Sequence, residues 1–316
     1  MSDRSLMIEL WTECNNLCKF CYLGERNRTT SIEDKLKNMK DAKKIIEDTF
    51  DTTTERYKAV GFIGGEFFQG QLNTQEVRNN FYDICKTVFD LIEEDKVEDF
   101  WCYCTLTIGD QKDLYDLVDL FDKTVTDKEK HKFWVLVSYD TWGRFYIPGR
   151  KENWEKHMLN LQQYPFIRFN VTSILSQDFC EKVISGEHNL IEFRKKFKID
   201  SFFFKQPTKT SDYDTKEEFA EKYPQWFVKR MTFIRFLEKL KKDDPVLFEH
   251  VLNIIQRADD IMHSDDGYTG QHRDKLTWEE TGMEVLPKCG HVTPYQCYAD
   301  SDACCLCDYF KVKEGV

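Results

Sequence analysis

Three cysteines, Cys14, Cys18 and Cys21, stand at spacings of four and three in "CNNLCKFCY", residues 14–22. Three thiolates from one short loop can hold three irons of a four-iron, four-sulfur cluster and leave the fourth iron open to an outside ligand. Structural zinc asks for four protein ligands, and catalytic zinc usually takes histidine or carboxylate among its three. The histidine nearest in sequence is His131, so zinc would need a distant cysteine to complete it. A second chemical segment is "GFIGGEFF", residues 61–68, where Gly64 and Gly65 permit close backbone approach and Glu66 can accept from an ammonium. By itself such a glycine pair also reads as a plain turn. The tail "CGHVTPYQCYADSDACCLCDYF", residues 289–310, carries Cys289, Cys297, Cys304, Cys305, Cys307 and His291. Five thiols exceed the four a cluster needs, which makes one of them spare, and zinc with or without His291 competes with iron there. Cys102 and Cys104 are two apart on a candidate strand and so share a face. If that face is a barrel interior, either thiol could donate a hydrogen atom to a substrate radical; otherwise both are structural.

Cys14, Cys18 and Cys21, with aromatic Phe20 before the third, resemble the CxxxCxΦC signature of radical S-adenosylmethionine (SAM) enzymes. The resemblance implies that SAM chelates the open iron through its amino and carboxylate groups. A reduced cluster then breaks a carbon–sulfur bond, giving methionine and a 5′-deoxyadenosyl radical that takes hydrogen from a substrate. It also implies an electron donor such as flavodoxin or ferredoxin. Gly64, Gly65 and Glu66 look like the family's GGE motif, which holds the SAM amino group. "TLTIGD", residues 105–110, sits where many relatives carry a threonine-asparagine-glycine turn, with Ile108 in place of the asparagine. "VLVSYDTWGRFYIPGR", residues 135–150, resembles the fourth-strand segment of the SPASM and twitch branch. There Ser138 would contact the SAM ribose or carboxylate and Arg150 would pair with the carboxylate, against the alternative of a solvated arginine. Asp140 reads as an orienting or substrate carboxylate, or else as a turn cap. The tail is loosely similar to the auxiliary-cluster extensions of the same branch, which implies one second [4Fe–4S] cluster, with zinc as the alternative.

The elements that must carry these residues alternate. Short β-rich runs at 6–12, 57–64, 100–108, 132–140, 166–175 and 201–206 predict six strands. Amphipathic stretches near 31–50, 74–94, 111–123, 151–163 and 178–196 predict helices between them, the first opened by Ser31 with Asp34 three residues on. The expectation is an α/β fold, a partial (β/α)6 TIM-like barrel over 1–207, followed by a mainly helical, cysteine-rich extension over 208–316. Pro224 should interrupt the first helical run of that extension.

Composition bounds the function. The chain has 316 residues, 41% hydrophobic and 15% aromatic, enough for a large core. Neither a membrane-span pattern nor a signal peptide is evident, which predicts a cytoplasmic protein without a membrane partner. In a reducing compartment, twelve cysteines read as metal ligands and buried thiols rather than disulfides. A net charge of −11 gives no global pull toward nucleic acid. Three functions remain open: modification of a peptide or protein, modification of a nucleotide or small metabolite, and a non-enzymatic iron–sulfur or zinc protein that binds a partner through the tail. With the first strand expected within a dozen residues of Met1, the leader-binding domain common in peptide maturases is not expected ahead of it.

Overall fold

A computed structural model of the chain describes residues 4–16, 18, 29–141, 143–205, 228 and 230–249, with two short strands at 284–285 and 292–293. Six strands, β1 (Ser5–Trp11), β2 (Tyr57–Gly64), β3 (Val97–Cys104), β4 (Phe133–Tyr139), β5 (Ile167–Ile174) and β6 (Ser201–Lys205), form one sheet in sequence order with every pair parallel. Parallel neighbours need a crossover, and helices supply it: α1 (Ile32–Thr52), α2 (Gln75–Glu93), α3 (Lys112–Thr124), α4 (Arg150–Leu161), and the pair α5 (Gln177–Ser185) and α6 (Leu190–Lys196). This is the α/β alternation expected, consistent with a partial TIM-like barrel. Its carboxyl strand ends gather the cysteine loop, the GGE segment and the turn after β3.

Local signals explain where most elements start. Ser31 accepts the Asp34 N–H at 3.0 Å and Thr74 accepts the Val77 N–H at 3.2 Å, so α1 and α2 open on side-chain caps. The single helix expected over 178–196 is two. Gly186, at φ +81°, closes α5, and the Asn189 side chain accepts from the N–H groups of Ile191 and Glu192 to open α6. β3 runs 97–104 instead of 100–108 because Leu106 takes φ +57°, a left-handed conformation that no strand can continue through.

One sheet face is sealed by aromatic packing. Phe89 of α2 meets Phe100 at 5.0 Å, Phe100 meets Phe133 at 5.0 Å, and Phe121 of α3 meets Phe133 at 5.5 Å. Each such pair contributes about 0.5–1.5 kcal/mol beyond its buried area. Cys102 and Cys104 lie on this helix-facing side, fully enclosed in the same core as Phe100. That corrects their candidacy as hydrogen-atom donors: strand alternation turns them away from the sheet's open face. Cys85 and Cys180 are likewise enclosed on α2 and α5, and burial pushes all four thiols well up.

Helix α7 (Arg230–Asp243) packs beside α5, with Phe236 against Phe179 at 6.2 Å and Phe204 at 5.6 Å, and Arg194 paired with Asp244. Phe233, Phe236, Leu237 and Leu240 of this helix join the same hydrophobic core as the sheet. A two-residue antiparallel pair, β7 (Glu284–Val285) and β8 (Val292–Thr293), adds strands to a segment expected to have none; its three β-branched residues suit a strand. Among the described residues no helix is long and apolar enough to cross a membrane.

One packing detail makes stability depend on pH. His188 stacks on Tyr139 at 5.3 Å, and burial, with Lys151 and Lys182 nearby, pushes its pKa down to about 4. Between its ordinary 6.5 and about 4 the unfolded chain binds a proton that the folded chain refuses, so stability falls as pH falls through that window. The His188→Phe variant should remove up to about one proton from this slope, at most about 1.4 kcal/mol per pH unit. Urea melts between pH 4 and 7 with unchanged slopes would contradict this.

Candidate functional site

The cysteine loop is stitched to the end of β2 through backbone. Gly65 N–H donates to Trp11 O at 2.9 Å and Glu66 N–H to Glu13 O at 2.9 Å. Such contact demands residues without a side chain, since a Cβ on Gly64 would stand 2.2 Å from Trp11 O. The glycine pair thus brings the GGE segment against the residues leading into Cys14. Side chains secure the junction: Trp11 Nε1 donates to Glu66 O at 2.9 Å, Asn38 Nδ2 to Leu10 O at 2.8 Å and the buried Lys35 Nζ to Gln71 O at 2.8 Å. Lys35 also pairs with Glu13, next to Cys14.

Glu66 is buried and fully hydrogen-bonded. Its Oε1 accepts from Phe67 N–H at 2.9 Å and Phe68 N–H at 3.1 Å; its Oε2 accepts from Thr105 N–H at 2.8 Å and from the Thr105 hydroxyl. Burial pushes its pKa up and these four donors work against it. Thr105 leads into a polar cluster from three loops. Asn16 Nδ2 donates to Thr105 Oγ1 at 2.8 Å, Gln69 Nε2 lies 2.5 Å from Thr105 Oγ1 and 2.6 Å from Thr107 Oγ1, and Thr107 Oγ1 donates to Asn16 Oδ1 at 2.6 Å. The left-handed Leu106 between the two threonines puts both hydroxyls into one cluster.

The turn after β3 is held from α4. Asn153 Nδ2 donates to Thr107 O at 3.2 Å, and His157 bridges Ile108 O at 2.9 Å and the Tyr115 hydroxyl at 2.9 Å. A carbonyl can only accept, so Nε2 carries the proton and Nδ1 accepts from Tyr115. Burial pulls the His157 pKa down, in keeping with this neutral ring.

Cys14 and Cys18 meet beside these loops. Asn16 N–H lies 3.4 Å and Asn16 Nδ2 3.7 Å from Cys14 Sγ. Burial first, then Glu66, pushes the Cys14 thiol up to about 11, with the Asn16 N–H and Arg144 opposing and Cys18 adding to the rise. A metal at this loop must therefore displace a firmly held proton. The buried Arg144 faces Cys18, Asp140, Cys14 and Glu66; burial lowers its pKa, and these acidic neighbours outweigh that and raise it. Arg150 reaches the same loop, donating through Nη1 to Asn16 O and lying 3.4 Å through Nη2 from Asn15 O. It is half-buried over Tyr146 at 5.9 Å.

The structure thus brings together Cys14, Cys18, Gly64, Gly65, Glu66 and Arg150 from the sequence-derived set. Ser138, half-buried on β4 beside Thr172, points with the sheet's open face. Asp140 caps its own turn, accepting from Gly143 N–H at 2.8 Å and from Arg144 N–H, the second of its two expected roles. Phe20, Cys21 and the tail cysteines Cys289, Cys297, Cys304, Cys305 and Cys307 lie outside the described residues. Among the described residues no group of three or more histidine, cysteine or carboxylate side chains forms a metal site. Sequence reasoning missed Asn16, Gln69, Thr105, Thr107 and Arg144. Asn16, Thr105, Thr107 and Arg144 lay inside quoted segments and Gln69 just past one, and only their partners across the sheet gave them meaning. Chemically, the site offers thiols, a fixed carboxylate and two guanidinium groups around one loop at the carboxyl ends of the strands, where α/β folds bind ligands. No family model matches the chain, and no curated protein matches it.

Proposed function

We propose that the chain is a radical SAM enzyme. The observation that supports this reading most is the backbone stitch that sets Gly64, Gly65 and Glu66 against the loop bearing Cys14 and Cys18. The donor set fits an iron–sulfur group: two neighbouring thiols, Cys18 buried and Cys14 half-buried with Asn16 N–H groups facing it, and Cys21 as the third ligand by spacing. When bound, the cluster supplies the electron that cleaves SAM, and the resulting 5′-deoxyadenosyl radical abstracts hydrogen from the substrate. In this proposal the chain itself does four things. Cys14, Cys18 and Cys21 bind the cluster. The GGE backbone receives the SAM amino group, because Glu66's four internal donors leave its carboxylate little capacity for an ammonium. Ser138 contacts the SAM ribose or carboxylate. Arg150 holds the loop's carbonyls and lies within the same neighbourhood to pair with the SAM carboxylate. The tail cysteines hold a second [4Fe–4S] cluster or zinc, flavodoxin or ferredoxin supplies electrons, and the substrate is a peptide or a nucleotide-like metabolite.

Anaerobic reconstitution, dithionite reduction and SAM addition test the reading. The expected result is 5′-deoxyadenosine from the parent chain and none from Cys18→Ala, with about eight irons if the tail holds a second cluster or about four with zinc. An intact cluster that yields no 5′-deoxyadenosine with any candidate substrate would overturn it in favour of a partner-binding metalloprotein.

A further inference from the structure

The two faces of the sheet differ in chemistry. Phe62, Phe100, Val135 and Phe169 pack under the helices. The opposite face presents Trp101 and Tyr103 of β3, Ser138 of β4, and Asn170 and Thr172 of β5, all partly accessible, with Tyr103 37% exposed. Strand register aligns Tyr103 with Leu136 and Leu136 with Asn170, so an aromatic wall and an amide wall flank an aliphatic floor. The outer two of these three strands stand about 10 Å apart, the width of one flat ring system. Beside them Gly61 leaves space for Trp101, since a Cβ there would stand 2.7 Å from Trp101 Cβ.

Two properties of this face narrow its occupant. Its polar groups are uncommitted: no hydrogen bond within the described residues engages the Tyr103, Asn170 or Thr172 side chains. Its charges are committed: Arg168 faces Asp200 at 3.5 Å and donates to Pro165 O and Ile167 O, and Asp99 accepts the Trp134 indole N–H at 2.9 Å. The surface across β3 to β5 is therefore aromatic, neutral and rich in donors and acceptors. It complements a flat, uncharged ring with a hydrogen-bonding edge, whereas a phosphate would meet no uncommitted cation among the described residues of β3, β4 and β5.

We infer that this face receives a nucleobase, stacked against the β3 aromatics and recognised along its edge by the Asn170 amide, which offers a donor and an acceptor side by side. The assignment favours a nucleoside-type substrate over a peptide, and it rests on the radical SAM reading only in calling the occupant a substrate.

The test uses the full chain, anaerobically loaded, titrated with guanosine, cytidine, uridine and thymidine while tryptophan fluorescence is followed; adenosine is omitted because SAM carries it. At least one nucleoside should quench saturably. Asn170→Ala and Tyr103→Leu should each weaken that binding about tenfold with unchanged melting temperature. No quenching at millimolar nucleoside, or variants that bind like the parent, would overturn the inference. Measuring 5′-deoxyadenosine in the same samples separates the two ideas. Nucleoside binding without SAM cleavage keeps the ring site and removes the radical reading, and cleavage without nucleoside binding does the reverse.

Discussion

Gly65→Ala is expected to lower the melting temperature by roughly 10 °C. The added Cβ would stand 2.2 Å from Glu13 O, 2.3 Å from Thr12 O and 2.6 Å from Glu13 C, all backbone atoms that cannot rotate aside. Relief requires pulling β2 away from the cysteine loop, which breaks the Gly65–Trp11 and Glu66–Glu13 hydrogen bonds together. A clash of this kind costs on the order of 3–5 kcal/mol, and in a chain of this size each kcal/mol moves the midpoint by roughly 2–4 °C. Gly70→Ala is the control. Its φ of +91° makes alanine unfavourable, but a Cβ there meets nothing within 4 Å, so only about 1–2 kcal/mol is at stake. Equal melting temperatures for the two variants would mean that the close approach is not what the glycine serves.

Glu66→Ala should be nearly as damaging, for an electrostatic reason. Removal of the carboxylate orphans four donors at once, the N–H groups of Phe67, Phe68 and Thr105 and the Thr105 hydroxyl, in a place water does not reach. One buried unsatisfied donor costs about 1–3 kcal/mol, and losses within one network do not add, so the expected total is about 3–5 kcal/mol. Glu66→Gln keeps the shape but points an NH2 group at two of the four donors, and should recover less than half of the loss. Full recovery by glutamine would show that volume, not the acceptor pair, is what the site requires. Because Thr105 also accepts from Asn16, both variants should loosen the loop around Cys14 and expose its thiol to alkylation.

Much of the fold was legible because its signals are local. Alternating side chains, a capping serine and helical periodicity act within a few residues, so five strands fall close to their expected bounds. β3 and the split fifth helix did not: Leu106 takes a left-handed conformation whose cost only the surrounding contacts offset, and Gly186 takes one freely and closes a helix inside a stretch whose periodicity runs on past it. The candidate site was legible in part. The glycine pair of Gly64–Gly65–Glu66 marks a close backbone approach. That the approach is to the loop's own backbone, and that Glu66 is spent on internal donors, depends on which strands are neighbours.

The sequence by itself determined the alternating βα architecture and the helix caps, because both follow from short-range geometry. Only the tertiary structure decided that Asn16, Gln69 and the Thr105–Thr107 turn, tens of residues apart, form one cluster, and that Arg144 faces the thiols. It alone turned Cys102 and Cys104 into the core and left Trp101, Tyr103 and Asn170 on the open face. The physical reason is that strand period says which residues share a face, while the order and packing of the sheet decide which face the helices cover.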